Sequence, residues 1–380
     1  MPSSTMEHSV FNDLESPTCE EIINCSFSKW YALYKDFTLT KVKIIKPLPQ
    51  SFIDYLTSDG IKLPGDDSGG HIWPNSDNEY SDWEGEEQAE EEEEVNILKK
   101  NLNLNPIESF QKLHDELKQY VKSFNYKFTP KLNWSAPKDA TWILMNNTLK
   151  CTSVNDLYLV LNASNYIMHD ITNAFDEVDG EEKEKEIIKE KLGFEYELIL
   201  REWFDDFNPA LEFRCFVKNR SLIAISQRDL NYYDYLITLY DKIYDSIVDF
   251  FEKNIQTSFP NDNFVFDIYF QRSLNKVFLI DINPFVRSTD PLLFTWHEIT
   301  LLNPTEKDFK LDFRIVDKVN AGRFASKEHS ENQVPKDVVD ASLGSSTMSE
   351  LASSWQKLMQ NEKYDNTSSD DDNDNDNDDK

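Results

Sequence analysis

Two apolar segments, residues 264–270 and 276–285, constrain the fold more than any other part of the sequence. Both are rich in β-branched and aromatic residues, which is typical of buried strands. A polar break at residues 271–275 separates them. Two such runs joined by a short polar segment predict an antiparallel hairpin whose turn is centred near Leu274.

Each predicted strand carries one acidic residue where a buried strand usually has none. The predicted turn places Asp267 roughly opposite Asp281. Two carboxylates that face each other across a ladder repel and are costly to bury unpaired. A Mg²⁺ ion would resolve this conflict, with Asn283 on the same strand face as Asp281. In the alternative interpretation, both acids lie at exposed strand ends and form local hydrogen bonds.

Charge and cysteine content exclude several classes of protein. The chain has 380 residues and a formal net charge of −31, which argues against a nucleic-acid surface and against binding to anionic membranes. No apolar stretch approaches the length of a membrane span, and the first residues lack the features of a signal peptide. Four cysteines without a CxxC pair argue against a zinc site. We expect a soluble, cytoplasmic protein with reduced thiols.

Composition also divides the chain into a folded part and acidic segments. We expect residues 1–20 to form a flexible arm and residues 21–320 to form one domain. The Gly-, Asp-, Ser- and Glu-rich residues 64–94 are predicted to be a disordered insertion in that domain. Residues 321–380 are predicted to be a mostly disordered acidic tail with a short helical patch.

Periodicity in the folded part predicts both helices and strands, so the fold class is α+β. Helices are predicted at residues 27–34, 52–60, 105–124, 181–191 and 230–255. Besides the hairpin, strands are predicted at residues 41–46, 128–133, 140–145, 157–161, 196–204, 211–217, 221–228 and 311–316.

The polar residues of the strands favour a polyphosphate ligand. GxGxxG and HExxH motifs are absent, and no nucleophile with a base and an orienting residue can be identified. Several cations instead lie on neighbouring strands and converge on the acidic hairpin, which suggests a polyphosphate with bound Mg²⁺. The alternative is a set of internal salt bridges, such as Arg214 with Glu212 or Asp267. The cationic side chains are Lys131, Arg201, Arg214 and Arg228.

Six runs of the sequence resemble one family of proteins. An acid on one strand followed by acid-x-Asn on the next is also the pattern of the ATP-grasp fold, and Asp267 with Asp281-Ile-Asn283 matches it. The runs occur at residues 130–140, 200–203, 212–218, 225–229, 264–269 and 279–285. Together they resemble the cell division cycle protein 123 family.

The resemblance implies an ATP-grasp-like α+β fold, in which two lobes of antiparallel sheet plus helices clasp a nucleotide. It further implies an assembly chaperone that binds ATP and Mg²⁺ and acts on eukaryotic translation initiation factor 2. Such a chaperone binds the gamma subunit and promotes formation of the heterotrimer, which supports translation initiation and cell-cycle progression. We expect no direct contact with nucleic acid or membrane, and a protein that is monomeric alone.

Residue roles also follow from the resemblance. It implies that the lysines face the phosphates, that residues 134–136 cover them, and that residues 201–204 line the adenine hinge. The implied metal ligands are Asp267, Asp281 and Asn283. The implied ATP contacts are Lys131, Trp134, Ala136, Lys138, Arg201, Trp203, Phe204, Glu212, Arg214, Arg228, Asp267, Asp281 and Asn283.

Two other functions remain open at this point. The chain is alternatively a carboxylate–amine ligase that acts through an acyl-phosphate, as many ATP-grasp proteins do. It is also compatible with a binding module whose nucleotide site is degenerate. The motif matches favour the chaperone, the intact Asp/Asp/Asn set argues against the degenerate site, and the sequence does not decide whether ATP is hydrolysed.

Overall fold

A computed structural model of the protein describes residues 14–58, 60, 63 and 106–318. The chain divides into two units, residues 1–325 and 326–380, and all described residues belong to the first. The predicted insertion at 64–94, the tail from 321 and most of the N-terminal arm lie outside the described residues. Among the described residues, no helix has both the length and the apolar character needed to cross a bilayer.

The first sheet has three antiparallel strands in the order β1-β3-β2. Its strands are β1 Val42–Ile45, β2 Phe128–Lys131 and β3 Leu198–Glu202. One face packs on helices through an apolar cluster that contains Leu198 and Leu200. These helices are α3 Gln50–Thr57, α4 Gln111–Ser123 with the preceding 3-10 turn Pro106–Phe110, α5 Val154–Asn162 and α6 Asn165–Thr172. We call this part the small lobe.

The second sheet has five strands in the order β7-β6-β4-β5-β8 and forms what we call the large lobe. All its pairings are antiparallel except β5 with β8, which is parallel. The strands are β4 Glu212–Lys218, β5 Ser221–Gln227, β6 Phe264–Phe270, β7 Val277–Pro284 and β8 Asp312–Arg314. The other α-helices of the described residues are α1 Cys19–Asn24, α2 Phe27–Tyr34, α7 Glu182–Lys191, α8 Leu236–Phe250, continued by a π turn Phe251–Ile255, and α9 Trp296–Leu301.

Alternation along the large sheet separates an apolar face from a face that is partly polar. Phe213 and Cys215 on β4, and Phe266 on β6, lie in the main core with α2 and α8. Arg214 lies between Phe213 and Cys215, and Asp267 directly follows Phe266. Because strand side chains alternate with a period of two residues, both point to the opposite face of the sheet. That face carries the site described below.

The predicted hairpin is confirmed, including its register. Strand β6 pairs with β7 so that Asp267 lies opposite Asp281. The register shifts directly after this pair, since Ile268 lies opposite Leu279. The turn passes through Leu274, whose backbone φ of 55° is left-handed. The two acids therefore face each other across the ladder as the sequence predicts.

Two predicted strands are wrong. Residues 157–161 belong to helix α5, because Ser153 and Asp156 form a capping box that begins a helix there. Residues 140–145 form no strand either, since Lys138–Ile143 is a 3-10 helix. A short apolar run is ambiguous between helix and strand, and at residues 157–161 the capping box decides the outcome.

Candidate functional site

Asp267 is buried in the large sheet and is held by arginines. On the neighbouring strand β4, Arg214 lies opposite Asp267. Its Nε donates to Oδ1 and its Nη2 to Oδ2, both at 2.8 Å. Arg228 Nε donates to the same Oδ2 at 3.3 Å. Burial would raise the pKa of Asp267, but the two guanidinium groups outweigh burial and hold the pKa below its ordinary value.

Arg228 follows β5 and connects Asp267 to a second acid. Its Nε lies 3.5 Å from Oε1 of Glu212, which shares a strand face with Arg214. Burial would lower the pKa of Arg228, but the carboxylates of Glu212 and Asp267 raise it above its ordinary value. The internal salt bridge that the sequence leaves open as an alternative, Arg214 with Asp267, is therefore present.

Lys131 joins the two lobes at the site. It ends β2 in the small sheet and its side chain is 2% exposed. Its Nζ donates to Oδ2 of Asp281 in the large sheet at 2.6 Å and also to the carbonyl of Trp134. The second acid of the hairpin is thus paired with a lysine, and the site lies where the two sheets meet.

Lys138 belongs to the same cluster but remains exposed to solvent. Protein atoms around the site desolvate its ammonium group, and the positive charge of Arg228 acts in the same direction. Glu212 and Asp267 oppose these effects only in part, so the pKa of Lys138 is lowered to about 8. The side chain is accessible, cationic at neutral pH and free to meet a ligand.

Arg201 adds a fifth cation from strand β3. Its guanidinium lies 6.0 Å from the ring centroid of Phe27. Burial lowers its pKa, and the carboxylates of Asp281 and Glu212 oppose that effect. No hydrogen bond or ion pair to its guanidinium occurs within the part of the chain that the structure describes. Its five N–H donors are therefore available to an anionic ligand.

The loop after Lys131 is ordered by buried contacts. The Trp134 indole stacks on Phe194 with 5.8 Å between ring centroids, and its Nε1 donates to the carbonyl of Ile22 at 2.9 Å. Only the backbone of Trp134 reaches Lys131. Ala136 is half-buried and its carbonyl accepts from the N–H of Lys138 at 2.7 Å. A ligand covered by this loop would meet its backbone rather than the indole ring.

Two aromatic residues, assigned to the adenine hinge by the resemblance, follow β3, where the chain passes into the large lobe. Both Trp203 and Phe204 are half-buried. The N–H of Trp203 donates to the carbonyl of Lys127 at 3.0 Å. Phe204 lies edge-on to Tyr269, with 6.3 Å between ring centroids. Both residues therefore lie beside the connection between the two sheets.

Two cations of the cluster have no ion pair within the described residues. Three of the five cations pair with carboxylates, and the buried Asp170 adds a further negative charge near Lys131. The described part of the chain offers no ion pair to Arg201 or Lys138. Cationic side chains without an anionic partner favour a bound anion. The enclosed carboxylates are Glu212, Asp267 and Asp281, and the cations are Lys131, Lys138, Arg201, Arg214 and Arg228.

The oxygen donors fit a magnesium ion that is shared with phosphate. Within the described ranges, no group of three or more His, Cys, Asp or Glu side chains is placed to hold a metal. Mg²⁺ however needs only one or two carboxylates, because phosphate and water complete its octahedron. Asp267 and Asp281 supply two, and the buried Nδ2 of Asn283 has no hydrogen-bond partner. A phosphate or metal-bound water oxygen would satisfy that amide.

Sequence reasoning missed the residues that support the site from outside the motif strands. Asp170 on α6 accepts from the N–H groups of Trp134 and Ser135. The carbonyl of Asp290 accepts from Nη1 of Arg214 at 2.7 Å. Neither residue has a local pattern that reveals its partner, since 35 residues separate Asp170 from Ser135 and 76 separate Asp290 from Arg214.

The comparisons with known proteins identify the family. The family model described as D123 matches residues 30–342, so the chain belongs to the D123 family. The chain is 50% identical over 366 residues to a Candida glabrata protein named Cell division cycle protein 123, covering 94% of this chain and 97% of that protein. It is 48% identical over 359 residues to a Vanderwaltozyma polyspora protein named Translation initiation factor eIF2 assembly protein, covering 93% of this chain and 95% of that protein.

A solved structure supports the fold. The structure of Cdc123 from Schizosaccharomyces pombe matches with a TM-score of 0.60 and 31% sequence identity, over 80% of this chain and 100% of that chain. The family resemblance inferred from the six sequence runs is therefore confirmed. The α+β class with two sheets is confirmed as well.

Proposed function

We propose that the chain binds ATP with Mg²⁺ where its two sheets meet, in an ATP-grasp-like site. The observation that carries this proposal is that Arg201 and Lys138, beside the acidic hairpin, have no ion pair among the described residues. A polyphosphate supplies negative charge for both cations, and Arg and Lys are the residues that bind phosphate. The unpaired amide of Asn283 and the available guanidinium of Arg201 support the same ligand.

Each group has a distinct role in this proposal. Lys131, Lys138 and Arg201 bind phosphate oxygens, and the chain near Trp203 and Phe204 borders the base. Asp267, Asp281 and Asn283 would hold the metal ion, which would neutralise phosphate charge. Arg214 and Arg228, already paired with Asp267, keep that carboxylate ionised and in place.

We further propose that the chain is a cytoplasmic factor that assembles eukaryotic translation initiation factor 2 and binds its gamma subunit. The support is the name of relatives such as the Vanderwaltozyma polyspora protein, which is 48% identical to this chain in an alignment that covers 95% of that protein. ATP would act by favouring one arrangement of the two lobes, and the differential affinity of ATP for that arrangement sets the size of the effect.

The test combines assembly with ATP turnover. Full-length protein, Mg-ATP and the purified eIF2 subunits are incubated, and the amounts of heterotrimer and ADP are measured. We expect assembly to depend on ATP and to be lost in Asp281→Ala, with slow ADP release. The matched control is Asp245→Ala, because Asp245 is an exposed acid on α8.

Two results would overturn this proposal. Heterotrimer formation that is unaffected by Asp281→Ala would exclude the ATP-dependent mechanism. Rapid ADP release that depends on a small carboxylate and an amine, with a new amide as product, would replace the chaperone with the ligase.

A further inference from the structure

Asp170 is a buried acid to which the proposed site gives no role. It lies on α6 and is 3% exposed. Its Oδ2 accepts from the N–H of Ser135 at 2.7 Å and of Trp134 at 3.2 Å, and its Oδ1 accepts from Ser135 Oγ at 2.7 Å. All three donors belong to the loop after Lys131. A buried carboxylate with three donors from one short loop fixes the conformation of that loop.

One peptide unit of this loop connects Asp170 to Lys131. The N–H of the Trp134–Ser135 peptide donates to Asp170, and the carbonyl of the same peptide accepts from Lys131 Nζ. In a planar trans peptide the N–H and the carbonyl point in opposite directions. Holding the N–H therefore sets the direction of the carbonyl, and the carbonyl sets the position of the lysine ammonium.

The ammonium position matters because Lys131 spans the two lobes. Its Nζ lies 2.6 Å from Asp281 in the large sheet. The loop is closed by the N–H of Leu132, which donates to the carbonyl of Ser135 at 2.9 Å. Loss of the anchor would let the peptide rotate and remove one of the two acceptors of the ammonium. Lys131 would then sample positions away from the phosphate site.

We propose that Asp170 is a positioning residue for Lys131, acting through the Trp134–Ser135 peptide to hold the ammonium for phosphate binding. This inference rests on the proposed function of the site. In the proposed site, Asp170 contacts neither the nucleotide nor the metal ion. Burial raises the pKa of Asp170, and the hydrogen bonds from Ser135 oppose that effect.

A purely structural role is separable, because the chain contains a matched buried acid. Asp139 is 7% exposed and also accepts from one serine hydroxyl and two N–H groups. Its donors are Ser164 Oγ at 2.5 Å and the N–H groups of Asn165 at 2.7 Å and Tyr166 at 3.4 Å, at the beginning of α6. Asp139→Asn thus removes an equivalent anchor that is not connected to Lys131 by a shared peptide.

The experiment is a double-mutant cycle on the full chain. Affinity for Mg-ATP and for adenosine is measured by calorimetry for wild type, Asp170→Asn, Lys131→Met and the double variant. We expect Asp170→Asn to weaken Mg-ATP binding by about tenfold with little change for adenosine, and to have less than about a twofold effect when Lys131 is already Met. Asp139→Asn should leave Mg-ATP affinity within about twofold of wild type. If Asp170→Asn does not fold, Ser135→Ala replaces it, with a smaller effect that is again absent in Lys131→Met.

Equal losses in the wild-type and Lys131→Met backgrounds would overturn the inference, as would an equal loss in Asp139→Asn. If wild type binds no Mg-ATP, the proposed function fails and the cycle is measured instead as urea unfolding without nucleotide. The inference then requires Asp170→Asn to destabilise Lys131→Met less than it destabilises wild type. Additive effects on unfolding would overturn it independently of ATP.

Discussion

Replacing Lys131 by Met should change metal affinity and nucleotide affinity in opposite directions. In the structure its ammonium is bound to Asp281, the carboxylate proposed to hold the metal. A metal ion that binds Asp281 must first separate this pair. Lys131→Met removes the competing cation, so Asp281 becomes available to the metal, while the phosphates lose a charged donor.

The magnitude follows from the burial of the pair. The side chains of Lys131 and Asp281 are 2% and 17% exposed. Removing one partner of a buried ion pair costs about 3–5 kcal/mol, and the partial exposure of Asp281 favours the lower end. A metal ion that no longer has to displace the lysine should bind more tightly by about 3 kcal/mol, which is about 100-fold. A lost charge-assisted hydrogen bond to phosphate should weaken ATP binding by about 10- to 100-fold.

Mn²⁺ binding without nucleotide, followed by electron paramagnetic resonance, measures the first effect, and calorimetry with ATP and adenosine measures the second. Lys150→Met is the control, because Lys150 pairs with the exposed Asp205 outside the site. It should change neither affinity. Unchanged or weaker Mn²⁺ binding in Lys131→Met would refute the competition between lysine and metal. Equal loss for ATP and adenosine would refute the phosphate contact.

Two further predictions concern the arginine pair and the exposed lysine. Arg214→Met should destabilise the protein by about 3–5 kcal/mol at pH 7 in urea unfolding, whereas Arg272→Met, which breaks an exposed pair with Asp206, should cost less than about 1 kcal/mol. The pKa of Asp267 in the folded protein lies below its unfolded value near 3.9, so the pair stabilises the fold above that pH and loses this effect as pH falls further. The difference in unfolding free energy between Arg214→Met and wild type should therefore shrink in acid. A difference that stays constant with pH would contradict this. The pKa of Lys138 is about 8, so its charge is lost as pH rises from 7 to 9 and ATP affinity should fall over that interval. Lys138→Arg stays charged and should keep its affinity at pH 9, and a parallel decline in both proteins would show that another group titrates.

The sequence predicted that Asp267 and Asp281 face each other because strand geometry is local. This arrangement follows from the two-residue period and one turn, and the structure has the predicted register. The sequence left two resolutions of the repulsion between the acids open, a bound Mg²⁺ ion and internal salt bridges such as Arg214 with Asp267. The structure contains that salt bridge, and Lys131 from the other lobe pairs with Asp281, which the sequence did not predict.

The failures have two different physical causes. The run at 157–161 is apolar throughout, so periodicity does not distinguish helix from strand. The capping box at Ser153 and Asp156 was the local feature that could have decided it. Asp170 has no such local feature, because its function depends on where α6 packs against the loop after Lys131. Long-range packing of this kind is absent from a single sequence.

Binding of Mg-ATP to the full chain is the most direct test of the proposed site. Isothermal titration calorimetry would compare wild type with Asp281→Ala and with the exposed-acid control Asp245→Ala, each with Mg²⁺ present and absent. We expect wild type and Asp245→Ala to bind one ATP per chain in a Mg²⁺-dependent manner, and Asp281→Ala to lose this dependence while remaining folded. Absence of ATP binding by wild type, or unchanged Mg²⁺-dependent affinity in Asp281→Ala, would contradict the account.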